Sequence, residues 1–363
     1  MTSPRVVIDL AKIRANTRAL VTMLSPHGIS VVGVTKAVCG MPAVAAAMRS
    51  GGAVGLGDSR SVNLARLMTA DVDGPRTLIR SPMLSASAEV VRCADSSCNT
   101  ELEVLRGLSV AAGRLGRTHR VVLMVELGDL REGIMPEDLA AMARSTLSLP
   151  HVTLEGIGTN LACQHGVVPG ERNMAELSDL VDAVESVTGV AMARVSGGNS
   201  ASLGWATTSG DTGRVDELRL GEAILLGREP LGRTPIPGLH TDAVTLVAEI
   251  IESKWKPSAP WGELGQNAAG VVGRPRDVGT RRRSIVALGR QDVDPSGLTP
   301  SGGRELLGAS SDHIVVDSGE QPDEVGDEID FDVDYGALLA AMTSPYVDVV
   351  VTGGSTKSGC GSA

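Results

Sequence analysis

The chain has 363 residues, room for one large domain and a smaller one, and its 42% hydrophobic and 21% charged content excludes both a disordered chain and one built of membrane spans. A net charge of −10, with no basic block longer than Arg281-Arg282-Arg283, argues against nucleic acid as a partner. The five cysteines (Cys39, Cys93, Cys98, Cys163 and Cys360) and six histidines are dispersed without metal-site spacing, and no signal-like or membrane-length apolar run is present, which predicts a cytoplasmic protein without bound metal or membrane contact.

An alternating apolar segment at the N-terminus leads into residues 12–24, whose apolar side chains recur at helical spacing. From residue 30 to residue 227, short β-branched runs then alternate with helical patterns. The runs cover residues 30–35, 53–56, 76–80, 95–99, 120–126, 152–158, 193–196 and 217–220, and helices are predicted at 42–50, 60–68, 101–115 and 173–187. Eight such alternations favour an α/β fold with a closed (β/α)8 barrel of the TIM type over an open doubly wound sheet. The stretch Pro230-Leu231-Gly232-Arg233-Thr234-Pro235-Ile236-Pro237-Gly238 breaks the pattern. Beyond it, strands at 243–252, 284–288, 313–316 and 329–333, separated by turn signals, predict a mostly-β C-terminal domain. The expected division is a barrel over 1–235, a β domain over 236–352 and a Gly/Ser-rich flexible tail over 353–363.

In a parallel barrel, functional residues collect at the carboxyl ends of the strands. Lys36 ends the first run, where burial disfavours an unpaired ammonium and prepares an amine to condense with an aldehyde cofactor such as pyridoxal 5′-phosphate; the plain alternative is a lysine reaching solvent. Asp58-Ser59-Arg60 ends the second run, and Gly128-Asp129-Leu130-Arg131-Glu132-Gly133 follows the fifth. Thr159-Asn160-Leu161-Ala162-Cys163-Gln164-His165-Gly166 follows the sixth. Ser196-Gly197-Gly198-Asn199-Ser200, after the seventh, is a glycine-rich loop suited to a phosphate, or else a plain turn. Arg219 lies at the eighth, either close to a cofactor ring nitrogen or paired with Glu217 or Glu222.

Val32-Gly33-Val34-Thr35-Lys36, Asp58-Ser59-Arg60, Leu127-Gly128-Asp129-Leu130-Arg131-Glu132-Gly133-Ile134, Gly156-Ile157-Gly158-Thr159-Asn160-Leu161, Ser196-Gly197-Gly198-Asn199-Ser200, Leu218-Arg219-Leu220-Gly221-Glu222-Ala223, Gly289-Arg290-Gln291-Asp292-Val293-Asp294-Pro295 and Gly308-Ala309-Ser310-Ser311-Asp312-His313 run in order through nearly the whole chain. In them the chain resembles the fold-type III, pyridoxal-phosphate-dependent alanine/ornithine racemase family, and more closely its ornithine racemase-like branch. The resemblance implies an amino-acid racemase in which Lys36 bonds the cofactor and serves as one acid/base group. It places Arg219 at the pyridine nitrogen and Asn160 by the ring, and gathers Ser196, Gly198, Asn199, Ser200, Gly221, Glu222 and Tyr346 as further cofactor contacts. Arg131 and Cys163 would then meet the substrate. It also implies a head-to-tail homodimer with shared active sites.

The segment Ala259-Pro260-Trp261-Gly262-Glu263-Leu264-Gly265-Gln266 lacks the tyrosine that alanine racemases use as second base. Asn160 stands where they have a histidine, Cys39-Gly40 where they have a phosphate-binding tyrosine, and the loop Cys163-Gln164-His165-Gly166 differs from the tyrosine and glycine expected in ornithine racemase-like members. For the missing base the sequence offers Glu263, Asp292 or Asp294 from the β domain, with His165 and Cys163 as alternatives from the barrel. Two other activities stay open on this scaffold: a pyridoxal-phosphate-dependent lyase or decarboxylase, and a non-catalytic carrier of the cofactor.

Overall fold

The valine-rich run that opens the barrel is buried along nearly its whole length, with Val31, Val32 and Val34 all at or below 6% exposure, because a parallel barrel strand is covered on both faces. A computed structural model describes residues 4–354, apart from 267–269, 271–272 and 274–275. Residues 355–363 of the predicted tail, Cys360 included, lie outside the described residues.

The strands in chain order begin with β1 (Arg5–Asp9) and continue with β2 (Ser30–Val34), β3 (Gly55–Asp58), β4 (Arg76–Leu78), β5 (Ser96–Asn99), β6 (His119–Val125), β7 (Val152–Thr159), β8 (Arg194–Ser196) and β9 (Glu217–Leu220). Strands β2 to β9 close into a barrel in sequential order, β9 pairing back on β2 with Arg219 beside Val32. A helix follows each barrel strand: Pro42–Ser50, Ser61–Thr69, Ser87–Cys93, Leu102–Arg114, Leu139–Leu147, Glu171–Thr188, Leu203–Thr208 and Glu222–Leu226. All eight expected strands are present. The helices Ser87–Cys93, Leu139–Leu147, Leu203–Thr208 and Glu222–Leu226 are additions that the periodicity did not single out.

Unlike a barrel filled by branched apolar residues alone, this one is crossed by a polar network. Arg194 on β8 reaches Ser96 on β5 at 3.4 Å and Thr77 on β4 at 3.5 Å, and pairs with Glu217 on β9 and Glu155 on β7 at 3.3 Å each. Because β8 is not a neighbour of β4 or β5, these contacts span the interior.

The second unit holds β10 (Val244–Pro257), β11 (Thr280–Val286), β12 (Leu298–Pro300), β13 (Glu305–Ala309), β14 (Ile314–Asp317), β15 (Glu328–Val333) and β16 (Asp348–Thr352), with the helix Tyr335–Thr343. Its sheet runs β12-β15-β10-β11-β14-β13. The long β10 serves two sets of neighbours by shifting register between Ile250 and Glu252, pairing β15 before the shift and β11 mainly after it. The chain's single phenylalanine, Phe331, is fully buried in this unit, which is otherwise packed with aliphatic side chains such as Leu246, Ile250, Val316 and Leu338.

The units divide at both ends of the barrel. One is Ala11–Thr241 and the other combines Met1–Leu10 with Asp242–Ala363, whereas the sequence reading put residues 1–235 together. The first strand is the reason: β1 pairs antiparallel with β10 and parallel with β16, so the N-terminus is woven into the β unit. Among the described residues no helix is long and apolar enough to cross a membrane.

Candidate active site

Lys36 follows β2 directly and opens a short 3-10 turn, Lys36–Val38, with its side chain half-buried. The preceding residue is held from the next strand. The Thr35 N–H donates to the Gly57 carbonyl at 2.9 Å, and its hydroxyl to Asp58 Oδ2 at 2.8 Å. Asp58 is fully buried and also accepts the Arg60 N–H at 2.9 Å and the Asn63 amide at 3.0 Å. Burial pushes its carboxyl above the ordinary carboxylate range, opposed by these same donors. Past the turn the chain crosses closely over Asn63: Gly40 has φ +62°, and a Cβ there would come within 2.6 Å of the Asn63 Cβ. The rim around Lys36 is thereby clamped onto β3 and the helix behind it.

Arg219 on β9 is 5% exposed and bonds neutral acceptors. One arm donates to Ser196 Oγ, the other to the Thr159 carbonyl at 2.8 Å and toward Asn160 Oδ1 at 3.5 Å. Neither acidic residue that the sequence offered as a partner takes it. Glu217 accepts from Ser196 Oγ at 2.9 Å and pairs with Arg194, while Glu222 lies 3.8 Å from Arg233. Among the described residues no carboxylate forms an ion pair with Arg219, so a permanently charged guanidinium sits at the barrel end with its charge uncompensated.

On the other side of β9 from Lys36 lies the loop after β8. Gly198 has φ +112°, and a Cβ there would meet Ser202 Oγ at 2.8 Å. Asn199 caps the turn Ser200–Ser202 by accepting the Ala201 N–H at 2.8 Å, and Ser200, 3% exposed, accepts the Ala223 N–H at 3.2 Å. Gly221 packs against Val34, which ties this loop cluster to the strand that carries Lys36.

The loop after β7 is organised by Asp129, which the sequence placed at the end of the fifth run without a role. Its buried carboxylate accepts the N–H groups of Cys163, Gln164, His165 and Val167 at 2.8–3.2 Å. Burial alone would raise its pKa, but the four donors outweigh it and hold the carboxyl below its usual range. The His165 ring is tied through Nδ1 to the Asp129 carbonyl at 2.8 Å. Cys163 Sγ receives the Asn160 amide at 3.1 Å and the Asn199 amide at 3.7 Å. Arg131, also on this side, is exposed and bonded to its neighbour Glu132.

The expected site residues of the β unit have local partners. Asp292 accepts the Gly289 N–H at 2.7 Å. Asp294 caps the turn Pro295–Gly297 through the N–H and hydroxyl of Ser296, bonds that lower its pKa. Glu263 and Tyr346 are exposed. The barrel therefore brings Asn160, Cys163, Ser196, Asn199 and Arg219 into one hydrogen-bonded cluster, with Ser200 and Lys36 on adjoining loops.

This donor set suits pyridoxal 5′-phosphate. It offers an amine for the aldehyde, a buried guanidinium without an anionic partner, and a glycine-turned loop with a buried hydroxyl in reach of a phosphate.

The family model described as "Alanine racemase, N-terminal domain" matches residues 8–229. The chain is 38% identical over 350 residues to an ornithine racemase of Acetoanaerobium sticklandii, covering 95% of this chain and 98% of that protein. It is likewise 38% identical over 353 residues to a lysine racemase of Thermotoga maritima, covering 96% and 99%. In fold it is similar to the crystal structure of an alanine racemase from Streptomyces lavendulae, with a TM-score of 0.74 at 22% identity over 98% of this chain and 99% of the other.

Proposed function

The chain belongs to the alanine racemase family and is an amino-acid racemase, and from that premise we propose that its substrate is a diamino acid of the ornithine or lysine type, turned over with pyridoxal 5′-phosphate held by Lys36. The near end-to-end similarity to an ornithine racemase and a lysine racemase supports the substrate class. The observation that carries the site assignment is Arg219, a buried guanidinium without a carboxylate partner in the same barrel rim as a strand-end lysine.

Bound there, the cofactor would supply an electron-withdrawing ring that makes the α-hydrogen of the amino acid removable. The Lys36 amine anchors it and moves a proton at the α-carbon on one side. Arg219, a fixed positive charge, would face the ring nitrogen and disfavour its protonation, which would favour return of the proton over loss of another group. Ser200 and the backbone turned by Gly198 would hold the phosphate, and Arg131 is the candidate for the substrate carboxylate. In this reading the chain works as a head-to-tail homodimer whose β unit completes the partner's site. The four described cysteines form no disulfide, and in this reading the protein works in the cytoplasm.

Incubating the holoenzyme with single enantiomers of ornithine, lysine and alanine, followed by chiral chromatography, tests the assignment. The mirror-image diamino acid should accumulate to a racemate, with a higher kcat/KM than for alanine. Loss of total amino acid would point instead to a lyase. A cofactor absorption band without turnover of any of the three would point to a carrier.

A further inference from the structure

Inversion at the α-carbon needs a proton taken from one face and a proton delivered to the other, so a single lysine leaves one face without its acid/base group. Two of the three carboxylates that the sequence offered for this task are committed elsewhere: Asp294 to Ser296, in bonds that weaken it as a base, and Asp292 to the Gly289 N–H.

We propose that Cys163 is the second acid/base residue, acting from the same barrel as Lys36. Three observations support this. Its sulfur accepts two side-chain amides, from Asn160 at 3.1 Å and Asn199 at 3.7 Å, an arrangement that suits a thiolate acceptor. Those two asparagines are bonded to each other at 3.2 Å, and Asn160 is also reached by Arg219, so the sulfur is one side chain removed from the uncompensated guanidinium. Arg131 lies close enough for its charge to act on the same sulfur, which puts the candidate carboxylate anchor beside the candidate base. Around the rim Cys163 follows β7 and Lys36 follows β2, with β8 and β9 and their loops between them. The two groups thus approach the cluster from separate points of the ring. His165 has its ring fixed by the Asp129 carbonyl instead of by this cluster.

The protons balance without any co-reactant. For one enantiomer the thiolate takes the α-hydrogen as a proton, the electron pair of the broken C–H bond stays with the substrate, and the Lys36 ammonium delivers its proton to the opposite face. For the other enantiomer the amine takes the proton and the thiol delivers one.

The inference rests on Lys36 being the cofactor lysine, and the experiment keeps the two apart. Each enantiomer is incubated separately in deuterium oxide with wild-type holoenzyme, Cys163→Ser, Cys163→Ala and Lys36→Ala, and uptake of deuterium at the α-carbon is followed with its configuration. The cysteine variants should lose racemisation by roughly 10²–10⁴-fold, yet one enantiomer should keep exchanging with retention through Lys36. Equal loss of exchange for both enantiomers, or racemisation by Cys163→Ser within about twofold of wild type, overturns the role of Cys163. Exchange persisting in Lys36→Ala would instead overturn the cofactor assignment.

A second readout needs no turnover. In cofactor-free protein, alkylation of Cys163 by iodoacetamide should slow about tenfold at neutral pH in Asn160→Ala. An unchanged rate counts against the proposal.

Discussion

At Lys36 the decisive neighbour is a residue that performs no chemistry. Asp58 gathers the Thr35 hydroxyl, the Arg60 N–H and the Asn63 amide, and so fixes the residue immediately before the lysine. Asp58→Ala would leave these donors without their acceptor inside a fully buried pocket, at a cost of roughly 1–3 kcal/mol. A lowered urea midpoint with an unchanged slope is the expected result, together with slower binding of the cofactor as the turn carrying Lys36 loosens. A midpoint equal to wild type would mean that water replaces the carboxylate. The sequence showed Asp58 at a strand end but not its use. A carboxylate clamp depends on which strand lies next door, information absent from the local pattern. Arg219 illustrates the same limit, since Glu217 and Glu222 stood close in sequence while its acceptors, Ser196 and Thr159, lie on β8 and β7.

Among the elements, strands were easier to read than helices. Each barrel strand is a short buried run bounded by polar loops, and such runs announce themselves without knowledge of their partners. Ser87–Cys93 makes barely two turns, and Leu139–Leu147 opens behind an acidic turn with alanines diluting its apolar stripe, so neither shows a clear period. Pairing between elements carries a consequence that no single element reveals. On β5, Ser97 accepts the Asn99 amide at 3.0 Å and shares a hydrogen bond of 2.8 Å with His119 Nε2 at the start of β6. Burial of that ring lowers its pKa from 6.5 to about 4. The unfolded chain therefore takes up the proton first as the pH falls. This contribution to stability is complete above pH 6.5 and is lost progressively toward pH 4, amounting to about 3 kcal/mol. Denaturant unfolding at pH 7.5 and 4.5 should show that decline in wild type and a flatter dependence in His119→Gln. Equal slopes would assign the acid sensitivity to other groups.

Over the whole molecule, the barrel and the β unit were both legible from the change in texture near residue 235, but the ownership of the first ten residues was not. Val6 and Ile8 alternate with half-buried neighbours, and nothing local says that their partners begin at residue 244 and residue 348. In the folded protein β1 lies between β10 and β16, pairing Val6 with Leu246 on one side and with Val349 on the other. Val6 and Ile8 are essentially inaccessible, and burying two such side chains contributes roughly 3–6 kcal/mol. Removing residues 1–9 would forfeit that burial, leave β16 without its neighbour and open one edge of β10. Barrel strands β2 to β9 keep their partners in the shortened chain, so its damage should be confined to the β unit. Hydrogen exchange followed by peptide mapping distinguishes the cases. Amides of β10 and β16 should lose protection by orders of magnitude while those of β6 and β7 stay protected. Uniform loss across both units would show that the barrel depends on the β unit for its own stability, and unchanged protection of β16 would show that β1 is dispensable to the sheet.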